Sequence, residues 1–255
     1  MEVKTRKMER IAPIQSVERA IWILKCFEER DELSLSEISK MLSIHKSTVF
    51  GLISTLAAYR FLEQDENSGK YHLGLELFRM GSRVNKDLRS IVAPYLDKLV
   101  RICEETVNFL IPDGSYVIYL EKKESNRSMR IETSLGQWEP MYRTAAGKAI
   151  LAALPLEEAR SILEETKFER MTENTLLSVK DVMGELEEIR CKGYAVDHEE
   201  LEYGLICLGV ALIDSAGRPV GAISISGPSS RMTKENIEKF AKYLVDFGCH
   251  ISDKL

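Results

Sequence analysis

Between Leu35 and Leu73 the chain switches from helical periodicity to strand alternation within a short span, a combination that few folds can satisfy. LSLSEISKML puts Leu35, Ile38, Met41 and Leu42 on one helical face, with Ser36 as the expected N-cap and Ser39 three residues on. After a break at Ser43 and Ile44, HKSTVFGLISTLAAYRF repeats apolar residues at Val49, Leu52, Ile53 and Leu56, the spacing of a second amphipathic helix. Lys46, Ser47, Phe50, Gly51 and Ser54 fall on its other side. Phe61 and Leu62 then open a strand, Asp65 to Gly69 supply turn residues, and Lys70, Tyr71, His72 and Leu73 return. Two short helices across a tight turn, followed by a polar hairpin, predict a winged helix-turn-helix whose second helix enters a DNA groove.

The same pattern is compatible with an ordinary helical hairpin and β-hairpin buried in a core. Polarity favours DNA: Ser47 and Thr48 can donate to phosphate alongside the free amides of a helix start, and Lys46 adds a point charge. Lys70, at the start of the returning wing strand, is a further candidate contact. Charge limits how much one copy can do. Residues 1–80 hold 12 Lys and Arg against 12 Asp and Glu, while residues 81–255 hold 23 against 28, which accounts for the net charge of −5. A module without net positive charge needs a second copy, with two recognition helices about one DNA turn apart, to gather enough phosphate contacts. Lys4, Arg6, Lys7 and Arg10 in the leader either add such contacts or form a solvated tail.

With 255 residues, the chain suits two domains of roughly 80 and 170 residues. No apolar run approaches the ~20 residues of a membrane span and the leader lacks a signal-peptide apolar region, so a cytoplasmic protein without membrane association is expected. Cysteines 26, 103, 191, 207 and 249 make neither a disulfide framework nor a zinc spacing, and most are expected as buried thiols. No metal and no cofactor is implied.

Val17, Ala20, Ile21 and Leu24 predict a first helix. Leu75, Phe78 and Met80 continue a helical stripe into a linker helix over 74–88, and a longer helix from Leu88 carries Ile91, Val92, Tyr95, Leu96, Leu99 and Cys103. Strands are expected at 107–111, 116–120, 129–133, 139–142, 194–197, 208–213 and 220–226, with helices at 146–153, 156–164, 179–192 and 234–251. The mixture is α+β, with helices packed on a sheet. The expected divisions are a leader at 1–12, a DNA-binding domain at 13–73, the linker helix, and a second domain at 89–255.

Six blocks in order, IQSVERAIWIL, HKSTVFGLISTL, YHLGLELFRMGSRV, RTAAGKAILAAL, GYAVDHEELEYGLICLGVALID and GAISISGPSSRM, resemble the IclR family of bacterial transcription regulators. The resemblance implies a winged helix-turn-helix fused to a GAF-like effector-binding domain. It implies a dimer or dimer of dimers, most often a repressor of metabolic genes, whose operator binding a small organic acid or related metabolite alters, and no enzymatic activity. Where relatives often carry a basic or histidine pair after STV, this chain has Phe50 and Gly51, so apolar contact with a thymine methyl replaces guanine reading by an Arg. Gly51 costs ~1 kcal/mol of helix propensity against Ala. It either lets backbone approach DNA or sits against a neighbouring helix.

The resemblance also implies an effector site formed by the backbone of Ala145 and Ala146 with Asp197, Cys207, Ser224 and Ser226. Ser224 and Ser226, two apart on a strand, point to one side, and their hydroxyls with helix-terminal amides suit a carboxylate. As alternatives, the serines hydrogen-bond their neighbours, and Asp197, His198, Glu199 and Glu200 form a hydrated turn. A phosphate loop around Gly147 and Lys148 fails because Tyr142 stands where glycine is needed. A metal cluster at 197–200 lacks a second ligand-spaced His, and Cys207, within LICLGVALI, is expected to be an inert thiol. The competing function is a small-molecule-binding enzyme or sensor whose first helices only dimerise.

Overall fold

In the computed structural model, which describes residues 12–28 and 30–255, Ser34 rather than Ser36 starts the second helix. The Ser34 Oγ accepts from the Glu37 amide at 3.3 Å, while the Ser34 amide donates to the Glu37 carboxylate at 2.8 Å. Only Ser34 has a glutamate three residues on, so only it can close this reciprocal cap. The leader cations Lys4, Arg6, Lys7 and Arg10 lie outside the described residues.

The chain divides after Lys86 into two compact units. The first contains α1 (Gln15–Lys25), α2 (Leu35–Leu42), α3 (Lys46–Ala58), β1 (Leu62–Gln64), β2 (Tyr71–Leu73) and α4 (Leu75–Gly81). Ile23, Leu33, Ile38, Val49, Ile53 and Leu62 are fully buried and form its core. Val17, Ile21 and Met41 stand outside it, exposed, contrary to the expected stripes. On such short helices a single fully buried residue, Ile23 in α1 and Ile38 in α2, anchors each one. Ser43 ends α2 in the left-handed region, at φ 55°, and the Ser39 hydroxyl donates to the Ile44 carbonyl at 2.6 Å, fixing the turn into α3. β1 and β2 pair antiparallel from Leu62↔Leu73 to Gln64↔Tyr71. Their turn is shaped by Asp65, whose carboxylate accepts the amides of Asn67 and Ser68, and by Gly69 at φ 68°.

Residues 74–88 do not form one helix: α4 ends at Gly81, a turn follows with Asn85 at φ 47°, and α5 (Lys86–Cys103) begins the second unit. β3 (Thr106–Asp113), β4 (Tyr116–Lys123) and β5 (Trp138–Pro140) come next. They are followed by α6 (Ala145–Ala153), α7 (Leu156–Glu164), α8 (Val179–Lys192), β6 (Ala195–His198), β7 (Leu205–Ile213), β8 (Pro219–Pro228) and α9 (Lys234–Ser252). The strands form one antiparallel sheet in the order β5-β4-β3-β8-β7-β6. This is the expected α+β class. Alternation gives the sheet two faces. Val107, Phe109, Leu208, Val210, Ile223 and Ile225 share a core with Val92, Leu96 and Leu99 of α5 and Phe240 and Leu244 of α9. Leu110, Val117, Cys207 and Ala222 point the other way and share a core with α6, α7 and α8.

No strand forms at 129–133. Side chains satisfy the carbonyls there: Arg231 donates to Met129, the Thr106 hydroxyl to Ile131 and the Lys122 ammonium to Thr133. The expected strand at 139–142 stops at Pro140 and gives way to a 3-10 turn, Met141–Arg143.

Helix α6 approaches its surroundings closely at two glycines. A Cβ at Gly209 of β7 would overlap the Ala145 carbonyl carbon and the Ala146 amide, and one at Gly147 would overlap the Met141 backbone. Gly209→Ala therefore costs about 1–3 kcal/mol through overpacking. Gly184→Ala, on the exposed face of α8 with nothing within 4 Å, gains up to ~1 kcal/mol. Urea denaturation of the two variants against the parent chain checks the opposite signs.

Candidate DNA-contact face and effector site

Val49 and Ile53 anchor α3 in the core, leaving Lys46, Ser47, Thr48, Phe50, Gly51 and Ser54 exposed, Phe50 by 58%. The N-cap is His45, whose side chain makes no cap hydrogen bond. The amides of Lys46, Ser47 and Thr48 thus open the helix without an intrahelical acceptor, and the dipole adds positive potential there. A Cβ at Gly51 would meet nothing within 4 Å, so this glycine is not required by packing against a neighbouring helix. Lys70 is half-buried at the turn end of the hairpin, where its carbonyl accepts the Asp65 amide, and its charge adds to the Ser34 hydrogen bonds that hold the Glu37 carboxyl below its usual range.

In the second unit, strand register brings the other candidates together. Asp197 on β6 lies opposite Cys207 on β7, and Cys207 lies opposite Ser226 on β8. One same-face step along, Gly209 lies opposite Ser224. The α6 N-terminus sits over Gly209, so Ala145 and Ala146 stand above the row that holds Asp197, Cys207, Ser224 and Ser226. The Thr144 carbonyl accepts the Lys148 amide and its hydroxyl accepts the Gly147 amide at 3.1 Å. No acceptor among the described residues takes the amides of Ala145 and Ala146.

The serines do hydrogen-bond their cross-strand neighbours, Asn108 on β3 and Cys207 on β7. Asn108, facing the same side of β3, donates from Nδ2 to Ser224 Oγ at 3.4 Å and Ser226 Oγ at 3.3 Å, while its Oδ1 accepts from Thr133 at 2.9 Å. The Cys207 thiol donates to Ser226 Oγ at 3.2 Å. Both serine oxygens act as acceptors, which leaves their own hydrogens free to donate. Burial drives the Cys207 pKa well above its ordinary value, in keeping with an inert thiol.

The 197–200 turn is hydrated only in part: His198 is exposed and Glu199 half-buried, but Asp197 is 1% exposed and Glu200 5%. The reason is Lys148, itself fully buried, whose ammonium donates to Glu200 at 2.5 Å, Glu185 at 2.6 Å and the Val196 carbonyl at 2.7 Å. Those three bonds use all three of its donors. Asp197 Oδ1 accepts from the Glu200 amide at 2.8 Å, but Asp197 Oδ2 is buried without a partner, as is Glu200 Oε2. Burial pushes the Asp197 carboxyl up to about 6 and Glu200 up to about 7, against the lowering effect of Lys148. Asn108 gave no signal in the sequence, and Lys148 and Glu200, considered there for a phosphate loop and a metal cluster, turn out to be partners in a buried ion cluster. A lone lysine inside AAGKAILAAL, which is otherwise small and apolar, was the available signal, since such a charge needs a buried counter-charge.

A helix-turn-helix with a bare recognition face, continued by a sheet domain enclosing a polar site, is the architecture of a transcription regulator with a separate ligand-binding domain. The IclR C-terminal domain of bacterial transcriptional regulators matches residues 81–253, and the IclR helix-turn-helix domain matches residues 16–66. The chain belongs to the IclR family, whose members regulate transcription rather than catalyse reactions. It is 37% identical over 244 residues to the HTH-type transcriptional repressor AllR of Salmonella typhimurium, covering 94% of this chain and 90% of that relative. AllR of Escherichia coli K12 is 36% identical over the same length and the same shares. The crystal structure of Thermotoga maritima IclR matches with a TM-score of 0.81 at 32% identity, covering 94% of this chain and 98% of that one. An IclR homologue from Microbacterium hydrocarbonoxydans, crystallised with 4-hydroxybenzoate, shares the fold at TM-score 0.83 and 20% identity, with 93% and 98% covered.

The raised carboxyls make stability depend on pH. Between their unfolded values near 4 and folded values of about 6 and 7, Asp197 and Glu200 bind more protons folded than unfolded. Their contribution is present at low pH and is lost as pH rises through that window. Glu200→Gln flattens this part of the decline, and denaturation midpoints of both proteins from about pH 5 to about pH 8 measure it.

Proposed function

We propose that the chain represses metabolic genes in the cytoplasm, as a dimer or dimer of dimers whose grip on a palindromic operator is altered by a small organic acid. Residues 13–73 read DNA, 74–88 couple the two activities and 89–255 receive the effector. The observation that carries this is the buried polar row beneath the α6 N-terminus, where two amides, two serine hydroxyls and an unpartnered carboxylate oxygen converge without bulk solvent. Close similarity to AllR repressors supports the sign of regulation.

At the operator, Lys46 and the amides and hydroxyls of Ser47 and Thr48 take phosphate, Phe50 meets a thymine methyl, and Ser54 reaches a base edge. Gly51 lets the backbone come close, and Lys70 adds a contact from the wing. Self-association is supported by the neutral charge of residues 1–80 and by exposed apolar side chains: Ile14, Val17 and Ile21 on one face of α1, and Leu75 and Phe78 on α4. In the effector site the ligand carboxylate accepts from the Ala145 and Ala146 amides, Ser224 and Ser226 donate to its oxygens, Cys207 lines the floor and Asp197 faces it. This chemistry selects an organic acid.

Lys46→Ala weakens binding to all DNA sequences alike and lowers the salt slope, whereas Phe50→Ala narrows the difference between operator and mismatched DNA with little change in stability. Fluorescence anisotropy across a salt series separates them, and a Phe50→Ala loss of about 3–5 kcal/mol in folding would instead mark a core residue. Ser224→Ala with Ser226→Ala leaves ligand-free operator binding intact and removes the response to ligand. Ligand and operator must change each other's affinity by one common factor, typically ~5 to ~150 fold. Calorimetry that finds unchanged ligand affinity in the double variant would move the pocket elsewhere.

A further inference from the structure

We propose that effector capture takes up one proton at Asp197, whose Oδ2 then donates a hydrogen bond to the bound carboxylate. The inference rests on the effector site described above. The groups facing Asp197 are Lys148 from α6, Glu185 from α8, Glu200 from its own turn, Cys207 from β7 and Tyr119 from β4. Cys207 and Tyr119 are weak acids that burial keeps neutral. What remains is one cation for three carboxylates, and the three donors of that cation are already committed to Glu185, Glu200 and the Val196 carbonyl.

An organic anion seated on the Ala145 and Ala146 amides would therefore be the fourth negative group served by one buried lysine. Repulsion between carboxylates at close range with low solvation forces one of them to hold a proton. Glu200 Oε2 is also buried without a partner, but Glu200 is paired with the Lys148 ammonium, which leaves Asp197, on the sheet row itself, as the group placed to do so. The Glu200 and Leu201 amides favour its charged form, whereas Oδ2 is buried with no partner, on a residue that shares the sheet row with Cys207, Ser226 and Ser224. Protonated there, it turns an unsatisfied acceptor into a donor, and the guest supplies the acceptor. The proton comes from solvent and no covalent bond to carbon changes. With Asp197 lifted to about 6, most copies are ionised in the free protein near neutral pH, so the uptake approaches one proton per ligand.

The test titrates glycolate, lactate and pyruvate into the full chain by calorimetry, from about pH 5.5 to about pH 8, in two buffers of different ionisation enthalpy. These are small carboxylates with one adjacent oxygen for the serines. The expected affinity falls about tenfold per pH unit above ~6, and the buffer comparison gives close to one proton taken up. Asp197→Asn, whose amide donates at any pH, binds with no pH slope and more tightly than the parent at the alkaline end. The buffer comparison on the unaltered chain decides the matter even if that variant fails to fold. Binding without proton uptake that Ser224→Ala with Ser226→Ala abolishes would overturn the coupling while keeping the site. A slope retained in Asp197→Asn would put the proton elsewhere and overturn it as well. No heat with any of the three acids would overturn the site and the coupling together.

Discussion

The close approach of α6 to β7 sets the arrangement of the second unit. Because Gly209 offers only backbone, the first turn of α6 descends onto the sheet until its amides stand over a polar row that an ordinary residue at 209 would hold away. Gly147 lets the same turn close onto Met141. One position later, Lys148 is carried into the interior and cannot reach water. Glu200 and Glu185 neutralise it, and this draws the turn after β6 inward with Asp197. The buried ion cluster is thus a consequence of helix depth, and its carboxylates inherit their raised protonation from the same cause.

The first unit shows a contrast between adjacent helices. α2 begins with a reciprocal cap at Ser34 and Glu37, which consumes donors at its start. α3 begins at His45 with no side-chain cap, and its first amides stay open on the surface that also carries Ser47 and Thr48. An uncapped helix start gives up roughly 1 kcal/mol of local stability. Val49 and Ile53, both fully buried, hold α3 through the core instead, so the open end can be kept for an external anion.

Periodicity made α7 and α8 legible over their full lengths, and the i, i+2 spacing of Ser224 and Ser226 gave their shared face. Alternation misled at 129–133, where MRIET looks like a strand but its carbonyls are met by Thr106, Lys122 and Arg231, partners distant in sequence. The 197–200 turn looked hydrated because four polar residues in a row resemble surface, and only the tertiary position of Lys148 explains why Asp197 and Glu200 are buried. Asn108 was hidden for a similar reason, since its partners Ser224, Ser226 and Thr133 lie on other segments. The exposed face of α3 needed no such information, because Val49 and Ile53 already fix its rotation.

The turn after β6 is strapped from outside by the 172–175 segment: the Thr172 hydroxyl donates to the Glu199 carbonyl at 2.6 Å, Thr175 to the Glu200 carbonyl at 2.7 Å, and Asn174 to the His198 carbonyl at 3.1 Å. β6 is an edge strand with β7 as its single neighbour, so the strap and the turn can separate without breaking a ladder on the far side. The strap holds in place the turn that carries the buried Glu200. Opening of this edge is thus a local event, cheaper than unfolding the sheet, and backbone amide exchange in the turn would report how often the strap lets go.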